Sequence, residues 1–340
     1  MNILIVFILN IKSIHKNSTY DVRFEILKNI AYYLKNKHNI FIAPCDKGTS
    51  LPNDIKKDFI LYDNSKPIEL CISWYPVLNN FIKNKNCQYI CYENGHIKNS
   101  LIIDPKGLLS GTKYIDTLNL LCENNYDENS DKYRINYIKN NFSKRPQNSN
   151  NDLPDIITNN YVFIPTQKHN DISLKNARIG MMECIEKTVN LCKINNVPLV
   201  IKIHPHLEGG LLNFQVNFIN NLKKNIYNDI YLSKMSINTL MTNALFTISL
   251  NGSTIMDNFM NLTPTLVLLP CLYSNTDAVI YSDNIETGFY ILLNKQYDFE
   301  KMIDKQKKII SWYLQHNLFL EYSVEDNIKI LEKHLTIKLL

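Results

Sequence analysis

Three short segments bring together residue types able to do chemistry. Lys202, His204, Pro205 and His206 close an aliphatic run that starts at Leu199. An ammonium and an imidazole at the end of a buried strand can hold a phosphate or a ribose. Pro205 cannot donate to a ladder, so the strand should stop there. Glu93-Asn94-Gly95-His96-Ile97-Lys98 follows a second apolar run. A carboxylate at a strand end can take a proton from an attacking hydroxyl. Asn251-Gly252-Ser253-Thr254 follows a third run and opens a helical pattern, with Thr254 and Asp257 spaced as a capping box. Small hydroxyl residues at a strand–turn–helix junction make an anion site. A fourth polar turn, Gln167 to Ser173 with Asp171, also follows a strand. The bland alternatives are solvated strand ends, a glycine turn with positive φ at Gly95, and an ordinary helix cap. Spacing alone does not decide between them.

These segments need a scaffold, and the chain supplies one. Its 340 residues suit two domains rather than one core. With 45% hydrophobic and 20% charged residues the chain is globular and not disordered. The net charge of +5, from 37 basic and 32 acidic residues, is spread along the sequence and makes no case for nucleic acid. It is compatible with anionic substrates and with docking on an anionic membrane surface. The cysteines sit mostly in apolar runs with no CxxC pair, which predicts reduced thiols in a cytoplasmic protein and no zinc site. The apolar start, Met1 to Asn10, lacks a basic n-region and reads as a first strand rather than a signal peptide.

Apolar runs predict strands over 2–10, 39–43, 59–62, 70–74 and 88–92, with helices over 21–36 and about 77–82. Residues 114–140 read as helical, and the Asn-rich stretch 140–160 as an interdomain linker. The alternation then restarts, with strands over 161–165, 199–203, 230–232, 244–250 and 265–269. Helices are expected over 180–195, 214–224 and 236–243, and from 299 to the end with a break near 317. Such alternation predicts parallel sheets with crossover helices. The division expected is 1–150 for one Rossmann-like domain and 151–340 for a second, with terminal helices.

In this order the motifs resemble the bacterial capsule polysaccharide biosynthesis family, transferases of the sugar acid Kdo. Glu93 to Lys98, followed by Asp104-Pro-Lys-Gly107 and Gly111, is similar to the family's Glu-x-Gly-aromatic-Leu-Arg segment. Tyr161 to Asp171 resembles its VPLQxHND strand and turn, Val200 to Pro205 its IKxHP strand, and Thr247 to Thr254 its TINST turn with Gly252 added. The resemblance spans roughly residues 70 to 285. It implies a GT-B fold, two Rossmann-like α/β domains facing a central cleft. It also implies a CMP-activated sugar acid as co-substrate, and no metal or other cofactor. The implied reaction is inverting transfer to a glycolipid or glycan acceptor, in the cytoplasm at the inner membrane surface.

By the same resemblance His204, Pro205, Ser253 and Thr254 would hold CMP. Gln167, Asp171, Lys202, Asn251 and Gly252 would complete the nucleotide-sugar site. Gly95 and Lys98 would lie on the acceptor side. Related sialyltransferases take their base from the second acidic residue of an acidic-acidic-Gly motif, and here that position is Asn94. The base would then be Glu93 or His96. Two rival readings stand beside this one: a GT-B transferase using a UDP- or GDP-sugar, and a nucleotide- or glycan-binding protein with weakened catalysis.

Overall fold

The structure is a computed structural model. It describes residues 1–7, 22–44, 51–63, 66–74, 87–105, 112, 114–124, 126–144, 147, 152–154, 157, 160–168, 171, 174, 177–336 and 338–339. The chain divides into two compact units, 1–113 with 313–340, and 114–312.

The first unit begins with β1 (Asn2–Phe7), whose side chains from Ile3 to Phe7 are all buried. Burial on both faces of a central parallel strand explains the unbroken apolar run. Helix α1 (Val22–Leu34) lays Phe24, Leu27, Ile30, Ala31 and Leu34 into the core, as the helical spacing predicts. Strand β2 (Asn39–Pro44), helix α2 (Asn53–Asp58), and strands β3 (Ile60–Leu61), β4 (Leu70–Trp74) and β5 (Gln88–Asn94) follow. These five strands run parallel. Strand β6 (Ser100–Asp104), which the sequence reading missed, returns antiparallel to β5. The helix expected near 77–82 lies outside the described residues.

The second unit starts with the short helix α3 (Leu118–Leu121) and helix α4 (Glu128–Lys139). These replace the single long helical stretch expected over 114–140. Asp127 stops the merger by capping α4, its carboxylate accepting the Asn129 N–H. Then come β7 (Tyr161–Pro165), α5 (Met181–Asn195), β8 (Leu199–Lys202), α6 (Gly209–Asn225), β9 (Ile230–Leu232) and α7 (Ile237–Thr242). Strand β10 (Ala244–Ser249), α8 (Thr254–Met260), β11 (Thr265–Val267), β12 (Ile280–Tyr281) and α9 (Ile285–Leu293) follow, and α10 (Phe299–His316) ends the unit at Trp312, its residues from Tyr313 on belonging to the first. Every described strand pair in this sheet is parallel, in the order β12-β11-β10-β7-β8-β9. Renumbered from β7, that is 3-2-1-4-5-6, the doubly wound Rossmann order. One face packs α5 and α9 against Val162, Ile164, Phe246 and Ile248, and the other packs α7 against Tyr161, Phe163 and Val200.

Two boundaries differ from those expected. The stretch 140–160 is not an interdomain linker. Gln147 accepts the Ile237 N–H, Asn238 donates to the Phe142 carbonyl, and Asp152 accepts from Ser233 and Lys234, all inside the second unit. The C-terminus, in turn, belongs to the first unit. Strand β13 (Leu318–Phe319) pairs antiparallel with β6, and α11 (Val324–Glu332) buries Ile328 and Leu331 in that core.

One glycine tests how tightly the second core is packed. A Cβ on Gly288, in α9, would lie 2.3 Å from Leu266 Cδ1. Gly288→Ala should lower stability by about 1–3 kcal/mol, the usual cost of overpacking, despite the better helix propensity of alanine. Thermal unfolding checks this, and adding Leu266→Val should recover part of the loss. An unchanged or raised Tm would show that Leu266 yields freely.

Candidate functional site

In a Rossmann sheet the ligand crevice lies beyond the carboxyl ends of the strands, where the strand order reverses. In the second unit that place is between β7 and β10, with β8 beside them. A cavity of about 910 Å3 opens there. It is lined by Thr166, Lys168 and Asp171 after β7, by Lys202 to Leu207 after β8, and by Ser253, Thr254 and Asp257 after β10.

The turn after β8 is built by its own sequence. The Leu207 N–H donates to the His204 carbonyl at 2.9 Å, closing a β-turn with Pro205 in the second position, where its fixed φ fits. The His204 N–H donates to Thr166 Oγ1 at 2.9 Å, tying this turn to the end of β7. The His206 N–H donates to His204 Nδ1 at 3.1 Å. A neutral His204 ring therefore carries its proton on Nε2, which makes that nitrogen a donor. Thr166 is a residue that motif reading passed over. Its signal was its place directly after the strand-ending Pro165.

Lys202 lines the cavity, but its ammonium is engaged. Nζ donates to the Met235 carbonyl at 2.5 Å and the Lys234 carbonyl at 3.2 Å. Burial pushes its pKa down and nearby Asp152 pushes it back up. Its first task is to hold the loop after β9. Lys144, Lys168 and Lys234 add further positive charge to the lining.

Gln167, Asn251 and Gly252 are not part of the lining. Gln167 Nε2 donates to Asn251 Oδ1 at 3.2 Å, and a Cβ on Gly252 would sit 3.4 Å from Gln167 Oε1. They join the turns after β7 and β10 beside the cavity. His169, Asn170, Ile172 and Ser173 lie outside the described residues.

The capping box read from Thr254 and Asp257 does not form. Ser253 is the N-cap, with no side-chain cap bond. The Asp257 carboxyl instead accepts from Tyr137 Oη of α4 at 3.1 Å, and it is 3% exposed. Burial pushes it up to about 7, against the opposing pull of the Tyr137 and Ser143 hydroxyls and Lys144.

The first unit carries the other motif at the carboxyl edge of its own sheet. Glu93 Oε1 accepts from Arg23 Nη1 at 3.0 Å and from the Asn94 N–H at 2.7 Å, and Oε2 accepts from Trp74 Nε1 at 2.5 Å. A carboxylate offers about four acceptor positions, and these bonds fill three of them. Asn94, next along β5, points to the opposite face. Arg23 and Trp74 were absent from the sequence reading, because pairing across 70 and 19 residues leaves no local pattern.

His96 is held by Tyr313. Its N–H donates to Tyr313 Oη at 2.6 Å and its ring stacks on the tyrosine at 5.9 Å. Burial pushes the Tyr313 hydroxyl up to about 12, so it keeps its proton. A directed chain results, running from the His96 N–H to Tyr313 Oη, to Ser100 Oγ, to the Ile97 carbonyl. Gly95 does not have the positive φ of the bland reading; among the described glycines only Gly209 does. The reason for glycine is close approach, since a Cβ there would lie 2.6 Å from the Ser100 carbonyl oxygen. Lys98 is exposed.

Among the described residues no three His, Cys, Asp or Glu side chains cluster as a metal site, and no helix is long and apolar enough to cross a membrane. Among those residues the cysteines are free thiols.

No family model and no curated relative matches the chain. Solved structures do. Thermosulfurimonas dismutans KpsC, a β-Kdo 2,7-transferase, aligns with a TM-score of 0.53 at 15% identity, covering 98% of this chain and 99% of that one. The β-Kdo 2,4-transferase of the same organism's KpsC aligns with a TM-score of 0.50 at 11% identity, covering 84% and 87%. The chain thus has the GT-B-like α/β fold of Kdo transferases, with two Rossmann-like units.

The carbonyl contacts of Lys202 make a testable demand. Lys202→Met keeps much of the volume and strands two acceptors, so it should cost about 1–3 kcal/mol. Chemical denaturation measures it. Unaltered stability would mean that the ammonium stands clear of the loop.

Proposed function

We propose that this chain is a glycosyltransferase that moves a sugar acid such as Kdo from a CMP-sugar to a glycolipid or polysaccharide acceptor. One observation carries the reading. Residues far apart in sequence, Thr166, Lys168 and Asp171, then Lys202 to Leu207, then Ser253, Thr254 and Asp257, line one cavity at the switch point of a Rossmann sheet. Their residue types suit a phosphate ester: the His204 imidazole, the hydroxyls of Thr166, Ser253 and Thr254, and nearby lysines. The full-length likeness to Kdo transferases supports the same reading.

In this reading the second unit binds the donor. Donors aimed at the phosphate stabilise the charge that develops as CMP departs. His204 Nε2–H and the Ser253 and Thr254 hydroxyls are the groups assigned to it. The acceptor hydroxyl attacks in a single displacement with inversion, without a metal. Glu93, in the first unit, is the proposed base, since its fourth acceptor position can take the hydroxyl proton. Arg23 and Trp74 fix the carboxylate's orientation. Capsule or surface polysaccharide synthesis, in the cytoplasm at the inner membrane surface, is the setting this reaction would have.

A binding panel of CMP, UMP, UDP and GDP tests the donor site. CMP should bind best, and His204→Ala should weaken it about ten-fold or more, the scale of a charge-assisted contact. Preference for UDP or GDP would move the assignment to another nucleotide-sugar. No binding by any of them would remove it.

The base is tested in a transfer assay with CMP-Kdo in EDTA. Glu93→Gln should lower kcat by about 10²–10⁴-fold, the range for general base catalysis, with CMP affinity unaltered. Full activity in Glu93→Gln, together with a gain in Asn94→Asp, would make Glu93 a structural partner of Arg23.

A further inference from the structure

The proposed donor cavity has a wall that its phosphate-binding role does not explain. Asp257 lines it one helical turn from Ser253 and Thr254, yet its carboxyl is almost fully buried. Among the described residues no cation pairs with it. Its hydrogen-bond partners are hydroxyls, Tyr137 Oη from α4 and Ser143 from the segment that follows. Lys144, on that segment, acts on it only through its charge.

A cavity for an anion should not carry a buried, unpaired negative charge in its wall. Two like charges in a poorly solvated site favour neutralising one of them. A phosphate ester has no high-pKa site at which to take the proton, its second ionisation falling near pH 6. A buried carboxyl does.

We propose that Asp257 is the cavity's proton-binding group, taking up one proton when an anionic ligand enters, so that nucleotide binding is coupled to proton uptake. The inference rests on the reading of the cavity as a nucleotide site. The ordinary titration of this group supports it, because burial has already pushed the ligand-free carboxyl up to about 7. Tyr137 stays a donor, its own hydroxyl raised by burial and by Asp257. Protonated Asp257 can then donate a hydrogen bond of its own, toward the ligand or toward Ser143. The other titratable groups on the cavity are Lys202, His204 and His206 after β8, Lys168 and Asp171 after β7, Lys234 after β9, and Lys144 beside Ser143. Asp152 also lines it, with its carboxylate bonded to Ser233 and the Lys234 N–H. The histidines could also take up a proton, so the experiment must separate them from Asp257.

Calorimetry of CMP binding in buffers of differing ionisation enthalpy, from pH 7 to 8.5, reads the coupling directly. Wild type should take up close to one proton per CMP at the upper end. Its affinity should fall toward ten-fold per pH unit, the slope of a one-proton linkage. Asp257→Asn should abolish the uptake and flatten the profile. Tyr137→Phe, which removes a bond that favours the ionised carboxyl, should move the whole profile to higher pH. A merely structural role for Tyr137 would weaken binding equally at every pH.

A ligand-free measurement covers a poorly folding variant. A carboxyl whose folded pKa lies above its unfolded value loses stabilisation as pH rises between the two. Wild type should therefore lose stability between about pH 4 and pH 7, in line with that shift, and Asp257→Asn should not share this loss. CMP binding without proton uptake, or uptake that survives in Asp257→Asn, overturns this inference and leaves the nucleotide site standing. Failure of every nucleotide to bind overturns both.

Discussion

The site in the second unit depends on one constraint, the parallel register of β10, β7 and β8. Phe163 pairs with Val200 on one side and Thr247 on the other, and Pro165 pairs with Lys202. Parallel strands in register end together, so the turn after each leaves from the same edge of the sheet. The bonds that bind the turns to one another follow from this. The Thr166 N–H reaches the Lys202 carbonyl, the His204 N–H reaches Thr166 Oγ1, and Gln167 reaches Asn251. A slip of one residue would move every side chain of a strand to the opposite face, where a different set of helices is packed. The apolar packing on both faces of this sheet forbids that slip, and so it also fixes the cavity.

The same reasoning explains what could be read from sequence. Strands such as β1, β7 and β8 are buried on both faces and show as unbroken apolar runs of the right length. Polar residues at strand ends stand out by contrast, which is why His204, Ser253 and Glu93 could be singled out as candidates. Strand β6 was missed because it follows β5 after only a tight turn, and an expectation of crossover helices leaves no room for a hairpin. Strand β13 has two residues and no pattern to show. Helix α6 begins at Gly209 and Gly210, five residues before its expected start, because low helix propensity there is overridden by the packing of Ile219 and Leu222. The Asn-rich stretch 140–160 misled for a different reason. Its polar side chains satisfy backbone groups of α7 and the loop before it, a duty that looks identical to solvation when only composition is visible.

Charge was the least legible property. Lys202 and Glu93 were read from sequence as groups waiting for a substrate. In the structure Lys202 bonds two carbonyls, and Glu93 accepts from a guanidinium, an indole and an amide. Neither fact excludes chemistry. A carboxylate that is to act as a base must be held within a fraction of an ångström, and Arg23 and Trp74 hold the one proposed here. The arrangement would limit the proposed mechanism, because the three bonds leave Glu93 one of its about four acceptor positions.

Helix α8 shows how the second unit acquires a site that local sequence cannot support. It has seven residues, and its N-cap makes no side-chain bond. A helix this short gains little from its own hydrogen bonds. Helix α4 supplies what is missing at both ends. Tyr137 bonds Asp257 within the first turn, and Arg134 Nη1 donates to the Met260 carbonyl at 3.1 Å at the last. The hydroxyls of Ser253 and Thr254 are therefore placed by a helix more than a hundred residues earlier in the chain. That dependence agrees with the division of the chain at residue 114 rather than 150. A domain cut at 150 would leave α8 without its brace and Asp257 without its hydrogen-bond donor. The unit that holds the cavity therefore includes α4.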